Sequence, residues 1–260
     1  MKITFLGTGS STGTPQLLCD CKVCKSTDFR NIRTRYSLMV ESDNFSILVD
    51  APFEIRTQLL KARIKHIDAL WLTHAHSDHI AGIDDLRMFS FRNKAPLPLF
   101  VNPHTRELIE SRFRYLVAEN EYMSRPFFSF NPVESKDIFF KGSRLTPLSY
   151  NHGETVVSSF RVGDFAFVSD ISDISPETKE KLKGLDVCVI NSTVLHPHYK
   201  HMCLEEVISL SKELAPGRVY LSHMNHRYDY SEIKKRVPDF MEPAYDGMVV
   251  KCNSSFAHAK

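Results

Sequence analysis

The sequence predicts a layered α/β (α+β) domain that spans residues 1–260, and three observations support this fold class. Short apolar runs of β type alternate with helical patterns from one end of the chain to the other. No Gly/Ser-rich linker or low-complexity segment separates the two halves, which favours one domain. The chain is 42% hydrophobic and 25% charged, a composition typical of a globular protein with a substantial core.

The first half of the chain contains four predicted strands, at residues 3–6, 36–40, 45–49 and 69–72. The second and third of these are separated by a polar turn at residues 41–44, a pattern that predicts a β-hairpin. A helix is predicted around Leu59 and Leu60, after Pro52. A second helix is predicted over residues 106–117, where apolar residues recur at helical spacing.

The second half contains three further predicted strands, at residues 165–168, 187–190 and 219–221. A helix is predicted over residues 204–214. It ends at Ala215-Pro216-Gly217, because proline and glycine are typical of the residues that follow a helix. The alternation of strands and helices therefore continues through the chain.

Side chains that can bind metal follow four of the predicted strands almost directly; they are Asp50, His74, Asp170 and His223. In layered α/β folds, rigid strands position the loops beyond their ends while these loops remain accessible to solvent. We therefore expect the four side chains to lie together at one edge of the fold.

The densest group of potential metal ligands is the motif from Thr73 to His79, which reads Thr-His-Ala-His-Ser-Asp-His. Three imidazoles and one carboxylate fall within six residues. The two histidines at positions i and i+2 can converge on one metal, while Asp78 and the following histidine turn toward a second. Imidazole with carboxylate suits Zn²⁺, Mn²⁺ or Fe. A solvated, histidine-rich loop is the alternative, and the full spacing disfavours it.

The run H-x-H-x-D-H after an apolar strand resembles the signature of the metallo-β-lactamase superfamily. The resemblance implies a four-layer αββα sandwich with a dinuclear site at one edge of two facing sheets. It implies that one metal is held by His74, His76 and His152, and the other by Asp78, His79 and His223. It further implies that Asp170 bridges both metals and that Asp50 orients a ligand imidazole from behind.

The segment from Gly7 to Pro15 indicates which branches of the superfamily the chain resembles. Its glycines, in Gly7-Thr8-Gly9-Ser10 and Gly13-Thr14-Pro15, resemble the first turn of the phosphodiesterase and nuclease branches of the superfamily. A glycine-rich turn without a ligand is the alternative reading of the segment by itself. The resemblance disfavours a thioester or lactam hydrolase.

Three cysteines form a C-x-C-x-x-C arrangement at Cys19, Cys21 and Cys24. Three thiolates at this spacing can hold one tetrahedral Zn²⁺, for which His226 is the best fourth ligand. Three free cysteines or a redox pair are the alternatives. The arrangement resembles the branch that hydrolyses phosphoribosyl cyclic phosphate in phosphonate breakdown, which implies a structural zinc. The remaining cysteines lie in apolar surroundings and are predicted to be core thiols; they are Cys188, Cys203 and Cys252.

Two residues are predicted to act on the substrate, Asp78 and His201. His201 resembles a histidine that this branch places over the substrate. Its imidazole could bind a phosphate oxygen or protonate the leaving alkoxide. His196 and His198 compete for the same role. Asp246 also matches a position of the branch, where its role could be structural.

The resemblance implies a metal-dependent phosphodiesterase acting on a small cyclic phosphodiester, of phosphoribosyl cyclic phosphate or 2′,3′-cyclic nucleotide type. Hydroxide activated by two ions, Zn²⁺ or Mn²⁺, would attack phosphorus. The alternative is a nuclease of the same fold, of the exonuclease or tRNA 3′-processing type. The net charge of +2 and the lack of a long basic insertion disfavour nucleic acid. A non-catalytic zinc protein would not need a bridging carboxylate.

The sequence shows neither a targeting segment nor an apolar run near the roughly 20 residues that span a bilayer. Six cysteines in 260 residues are too few for a disulfide scaffold, and three of them are clustered. We therefore expect a cytoplasmic protein without a membrane partner. A homodimer is compatible with the sequence.

Overall fold

Two seven-stranded sheets packed against each other form the centre of the computed structural model, which describes residues 1–119 and 125–253. In chain order the strands are β1 (Lys2–Gly7), β2 (Ser37–Glu41), β3 (Ser46–Val49), β4 (Ala69–Trp71), β5 (Leu97–Val101), β6 (Phe128–Pro132), β7 (Ile138–Phe140), β8 (Ser143–His152), β9 (Thr155–Val162), β10 (Phe165–Val168), β11 (Val187–Asn191), β12 (Arg218–Ser222), β13 (Met241–Pro243) and β14 (Val249–Lys251). The sheet orders are β14-β1-β2-β3-β4-β5-β6 and β13-β12-β11-β10-β9-β8-β7.

Helices flank the two sheets and complete the four-layer αββα sandwich that the sequence predicts. They are α1 (Ile55–Lys61), α2 (Ser77–Ile80), α3 (Arg87–Asn93), α4 (Pro103–Arg112), α5 (Arg114–Val117), α6 (Pro176–Lys181), α7 (Leu204–Leu214) and α8 (Tyr230–Arg236). No helix among the described residues is long and apolar enough to cross a membrane.

The seven predicted strands are all present, with ends shifted by at most one residue. The predicted hairpin is also confirmed. Strands β2 and β3 are antiparallel with Leu38 opposite Val49, and the N–H of Ser42 donates to the carbonyl of Phe45 at 2.8 Å. The predicted helix over residues 204–214 is α7, which ends at Ala215 in the left-handed conformation.

The helix predicted over residues 106–117 is wrong in its bounds. Helix α4 begins at Pro103, because the side chain of Asn102 accepts the N–H of Thr105 at 2.8 Å and proline fits the first helical turn. The helix ends at Arg112, since Phe113 leaves helical geometry with φ −130°. Residues 114–117 form the separate short helix α5.

The main hydrophobic core lies between the two sheets and includes large side chains from both. Trp71 of the first sheet packs edge-on against Phe160 of the second, with ring centroids 4.8 Å apart. Both rings are fully buried, and burial of one such side chain contributes about 1.5–3 kcal/mol. This packing fixes the two sheets relative to each other, and with them the loops at their edges.

The strands that precede the metal-binding candidates run parallel within each sheet. In the first sheet β3, β4 and β5 are parallel, and in the second β10, β11 and β12 are parallel. The carboxyl ends of neighbouring parallel strands meet at one edge of a sheet, where open α/β sheets bind their ligands. The loops after β3, β4, β10 and β12 can therefore contribute to one site.

Candidate metal centre

Two adjacent groups of side chains share Asp170 at the common edge of the sheets. Within each group, one potential ligand atom from every residue lies within 4.8 Å of the others. The first group contains His74, His76, His152 and Asp170; the second contains Asp78, His79, Asp170 and His223. The structure thus brings together all seven residues that the sequence predicts as ligands of the dinuclear site.

The motif from Thr73 to His79 places its side chains through a sharp change of direction after β4. His74 continues from the strand end, and His76 precedes the single turn of α2. Helix α2 then presents Asp78 and His79 back toward the sheet edge. The carbonyl of His79 accepts the N–H of Ala51 at 2.7 Å, which ties the turn to the end of β3.

The distances between potential ligand atoms around Asp170 match the distances between neighbouring ligands of one metal ion. Its Oδ2 atom lies 3.2 Å from Nε2 of His79 and 3.6 Å from Nε2 of His74, and in the second group Nε2 of His223 lies 3.4 Å from Oδ2 of Asp78. Ligand bonds of about 2.0–2.2 Å at angles between octahedral and tetrahedral place neighbouring donor atoms about 3.0–3.5 Å apart. The donor atoms are therefore spaced as ligands of shared ions would be.

Oxygen partners at Nδ1 orient four of the five histidines. The pairs are His79 with Asp50 Oδ2 at 2.7 Å, His74 with Thr73 Oγ1 at 3.0 Å, His152 with the Lys200 carbonyl at 2.8 Å, and His223 with Thr193 Oγ1 at 2.9 Å. An oxygen partner at Nδ1 fixes the ring and leaves Nε2 as the ligand atom. His76 differs, because its Nδ1 lies 2.9 Å from Nε2 of His74 and so faces the donor group itself.

Asp50 lies behind the site and is fully buried. Besides contacting His79, it accepts hydrogen bonds from the N–H of Thr73 at 2.8 Å and from its hydroxyl at 3.0 Å. Burial raises the pKa of Asp50 from its ordinary value, although His79 and these hydrogen bonds act in the opposite direction. Asp50 has φ +59° and His223 has φ +55°, a conformation uncommon for residues other than glycine and often found at functional sites.

The electrostatics favour a bound cation. Burial lowers the pKa of His74 well below its usual range, so its imidazole is neutral and keeps a free lone pair. Burial opposes ionisation of Asp170, but the neighbouring His223 and His79 hold the pKa of its carboxyl well below the ordinary value. Burial would lower the pKa of His79, whereas Asp78 and Asp50 raise it well above its usual range. The raised pKa means that these carboxylates favour positive charge at this position.

One orphaned atom supports the same conclusion. Nε2 of His79 is buried and has no hydrogen-bond partner among the described residues, although Asp170 and Asp78 lie 3.2 and 3.3 Å away. A buried polar atom left unsatisfied costs about 1–3 kcal/mol. A divalent ion held between these three side chains would satisfy it, so the residues present fit the metals that this donor set implies.

His201 lies beside the donor groups, in the segment between β11 and α7. Its Nδ1 is 3.9 Å from Oδ1 of Asp170, and its ring centroid is 4.5 Å from that of His152. Burial lowers the pKa of His201 to about 3. His196 and His198 are exposed and line a cleft of about 470 Å³ that opens beside His201. Of the three candidates, His201 is the one that the structure places within 4 Å of Asp170.

A third group of donors contains the cysteine cluster and lies along the same cleft. Nδ1 of His226 is 3.2 Å from Sγ of Cys19, 3.5 Å from Sγ of Cys21 and 3.7 Å from Sγ of Cys24. Bonds of about 2.3 Å to sulfur and 2.0–2.1 Å to nitrogen at the tetrahedral angle place these atoms about 3.5 Å apart. All four side chains fit one tetrahedral ion.

The thiols of this cluster differ in their ionisation. The backbone N–H of Cys24 is the largest influence that lowers the pKa of Cys21, to about 6, and His226 adds to it. Burial and, to a smaller extent, the neighbouring sulfurs raise the pKa of Cys24 to about 11. The other three cysteines are buried, as predicted.

Sequence reasoning missed several residues that orient the ligands. Thr73 holds both Asp50 and His74, and Thr193 and the carbonyl of Lys200 hold the rings of His223 and His152. Thr193 follows β11, a predicted strand whose end carries no charged or metal-binding side chain. The signal that could have found it is position, because it lies at the same edge as the four strand ends that do.

Comparison with known proteins agrees with this geometry. The chain matches the family model described as the β-lactamase superfamily domain over residues 46–224. It belongs to the metallo-β-lactamase superfamily. A solved structure described as a new diphosphatase from the PhnP family is 32% identical, with 96% of each chain covered and a TM-score of 0.89.

Two further similar proteins have names that do not refer to a diphosphatase. The zinc-bound PqqB of Methylobacterium extorquens is 20% identical, with 96% of this chain and 100% of that chain covered and a TM-score of 0.76, a likeness of fold. A protein of Porphyromonas gingivalis named octanoyltransferase is 32% identical over 253 residues. That match covers 95% of this chain and 51% of the relative, so the chain spans about half the length of the curated protein.

Proposed function

We propose that the protein hydrolyses a small cyclic phosphodiester, of phosphoribosyl cyclic phosphate or 2′,3′-cyclic nucleotide type, at a dinuclear metal site. The observation that carries the proposal is the pair of donor groups that share Asp170, with His201 only 3.9 Å from the same carboxylate. A shared carboxylate suits two metals a few ångströms apart, the arrangement used for in-line displacement at phosphorus.

The ligand assignment follows the two groups. His74, His76 and His152 would hold one metal, Asp78, His79 and His223 the other, and Asp170 both. Nitrogen and carboxylate donors suit Zn²⁺ or Mn²⁺. When bound, two such ions lower the pKa of a shared water and neutralise charge on the phosphoryl oxygens.

His201 is the residue best placed to act on the substrate from the protein side. It lies at the mouth of the site with 17% of its side chain exposed, whereas the ligand histidines behind it are more deeply buried or face the donor groups. From this position its neutral imidazole can donate its N–H to a phosphate oxygen. An anionic phosphate beside it would raise its lowered pKa, and the imidazolium could then deliver a proton to the leaving alkoxide. Asp78, which we predict to take part in catalysis, contributes as a ligand with 13% of its side chain exposed.

The cysteine cluster supports a structural Zn²⁺ on Cys19, Cys21, Cys24 and His226. All four positions of a tetrahedron are supplied by the protein, which is typical of structural rather than catalytic zinc. His226 follows His223 by three residues, so an ion here would also fix the segment that presents an active-site ligand. The relative described as a PhnP-family diphosphatase supports phosphorus chemistry for the site as a whole.

The experiment is a comparison of kcat/KM across substrate classes, with the purified protein loaded with Zn²⁺ or Mn²⁺. The panel is 2′,3′-cyclic AMP, ribose 1,2-cyclic phosphate, ADP, single-stranded DNA, precursor tRNA and an octanoyl thioester. The proposal predicts the highest kcat/KM on a cyclic phosphodiester. Turnover confined to nucleic acid would favour the nuclease alternative, and turnover confined to ADP or the thioester would contradict the proposal.

A further inference from the structure

His76 differs from the other histidines of the metal centre in how its ring is held. Each of the other four has an oxygen partner at Nδ1, whereas Nδ1 of His76 faces the donor group, 2.9 Å from Nε2 of His74. The two ring nitrogens are not equivalent, because Nδ1 is bonded to Cγ and so lies closer to the main chain than Nε2 does. The position of this ligand atom therefore depends strongly on the backbone of His76.

The peptide that joins Ala75 to His76 determines where that backbone lies. The carbonyl of Ala75 and the N–H of His76 belong to one planar group, so a rotation of this plane moves both. Within the part of the chain that the structure describes, this peptide takes part in one hydrogen bond, in which Nη1 of Arg112 donates to the carbonyl of Ala75 at 2.9 Å. Arg112 is thus the polar group that fixes the orientation of this peptide.

Helix α4 brings Arg112 to this loop, because Arg112 is its last residue. At the other end of the helix, the side-chain amide of Asn102 donates to the carbonyl of Val156 at 3.3 Å, which connects the start of the helix to β9. Thr105 and Ile109 of the same helix are buried against the rest of the domain. The helix is therefore a firmly held element from which one side chain can fix a neighbouring loop.

The charge of Arg112 by itself would oppose the binding of metal. Its side chain is exposed and forms an ion pair with none of the described carboxylates, so the positive charge is not neutralised. A cation beside a site for divalent ions repels them, although water and salt weaken the repulsion. An electrostatic role and a positional role for Arg112 therefore predict changes of opposite sign in metal affinity when the side chain is removed.

We propose that Arg112 is a positioning residue of the metal centre, which holds the peptide between Ala75 and His76 so that Nδ1 of His76 is directed to its metal. The inference rests on the proposed function, since it concerns the dinuclear site at which that reaction would take place. Arg112 does for His76, through the main chain, what an oxygen partner at Nδ1 does for the other four histidines. Groups that orient ligands in this way change metal affinity about 10–100-fold.

The test measures how readily a chelator removes Zn²⁺ from the loaded protein. In Arg112→Ala, one Zn²⁺ per chain should dissociate at a chelator concentration about tenfold lower than in wild type, with an unchanged circular dichroism spectrum. Arg112→Lys keeps a cationic donor of similar length and should recover most of the affinity. Arg114→Ala is the matched control and should behave as wild type, because this exposed side chain forms no hydrogen bond or ion pair with a described residue.

A double-mutant cycle with His76→Ala shows whether Arg112 acts through His76. In the His76→Ala background, Arg112→Ala should cause no further loss of metal affinity. Unchanged or tighter binding in Arg112→Ala, or an undiminished loss in the His76→Ala background, would overturn the role of Arg112. The measurement needs no substrate, so if the metals bind and no cyclic phosphodiester is hydrolysed, the proposed function fails while these affinities still decide the role of Arg112.

Discussion

The side chains around Asp170 owe their arrangement to the atoms behind them. Thr73, Asp50, Thr193 and the carbonyl of Lys200 each engage the far nitrogen of a histidine, so that the near nitrogen is directed to the donor group. A site built in this way is rigid before any ion arrives, because each ring is already fixed. Its function should therefore depend both on the predicted ligands and on the residues that orient them.

Asp170→Asn should lower kcat by about 10³-fold or more while leaving the fold intact. The neutral amide cannot stabilise two cations together, and the loss of several kcal/mol of transition-state stabilisation corresponds to such a factor. Steady-state kinetics on a cyclic phosphodiester, with circular dichroism for the fold, measures the effect. Asp173→Asn, at an exposed position three residues away, is the control and should behave as wild type. Full activity of Asp170→Asn with normal metal content would refute the shared-carboxylate assignment.

Asp50→Asn should act more mildly, by weakening the binding of metal about 10–100-fold. The amide keeps the shape of the carboxylate but not its charge, so His79 is held less firmly and its ligand nitrogen becomes less basic. Titration of the apoprotein with Zn²⁺ against a competing chelator measures this affinity. An unchanged affinity would show that the 2.7 Å contact between Asp50 and His79 has no influence on the metals.

His201→Ala separates two roles for that imidazole. If His201 protonates the leaving alkoxide, kcat should fall about 10²–10⁴-fold on a cyclic phosphodiester and far less on an aryl phosphodiester whose leaving group needs no proton. We expect this unequal loss, and kcat on the two substrates measures it. Equal losses would assign His201 to phosphate binding alone, and no loss would move the role to His198 or His196.

At the scale of elements, the loop from Gln16 to Cys24 depends on the cysteine cluster for its position. The N–H of Gln16 donates to Sγ of Cys24 at 3.3 Å, and Leu17 and Leu18 are highly exposed, so few apolar contacts hold this loop. A zinc at the cluster would gather ligands that are far apart in the unfolded chain and so would stabilise the fold.

Cys21→Ser should therefore remove one zinc atom per chain and lower Tm by roughly 5 °C or more, since 1 kcal/mol corresponds to about 2–4 °C in a domain near this size. Activity should fall only indirectly. Elemental analysis and thermal denaturation measure the two effects. Cys252→Ser, which removes a buried thiol outside the cluster, should keep the metal content of the wild type. Unchanged metal in Cys21→Ser, with three free thiols in the native wild type, would refute the structural zinc.

Elements differed in how well their sequence specified them. Strands β1 to β4 and β10 to β12 are short apolar runs buried on both faces, so hydrophobicity alone predicts them. Strand β8 mixes polar residues and Pro147 with apolar ones, and it was not predicted. It pairs with β9 from Thr146 to His152 in a hairpin whose two-residue turn begins at Gly153 with φ +59°, and this turn is the local signal that could have predicted both strands. The predicted bounds of helix α4 are wrong at its start because they do not include the Asn102 cap.

At the scale of the whole molecule, most of the ligand set could be predicted because the donors directly follow a predicted strand or lie in one dense motif, whereas His152, the last residue of β8, is implied only by the family resemblance. The division of these ligands into two groups depends on how the two sheets pack. This packing places Asp170 of the second sheet against His74 and His79 of the first. The cleft beside His201 could not be predicted, since segments that are far apart in the sequence meet there. Burial of the core between the sheets holds these loops together.

The most direct test of the account is an anomalous diffraction measurement at the zinc absorption edge, on crystals of the protein grown with Zn²⁺. Three peaks per chain are expected. Two should lie about 3.5–4 Å apart on either side of Asp170, and the third within about 2.3 Å of the sulfur atoms of Cys19, Cys21 and Cys24. Fewer than two peaks at Asp170, with the ligand histidines unoccupied at saturating Zn²⁺, would contradict the dinuclear site and the hydrolytic function proposed from it.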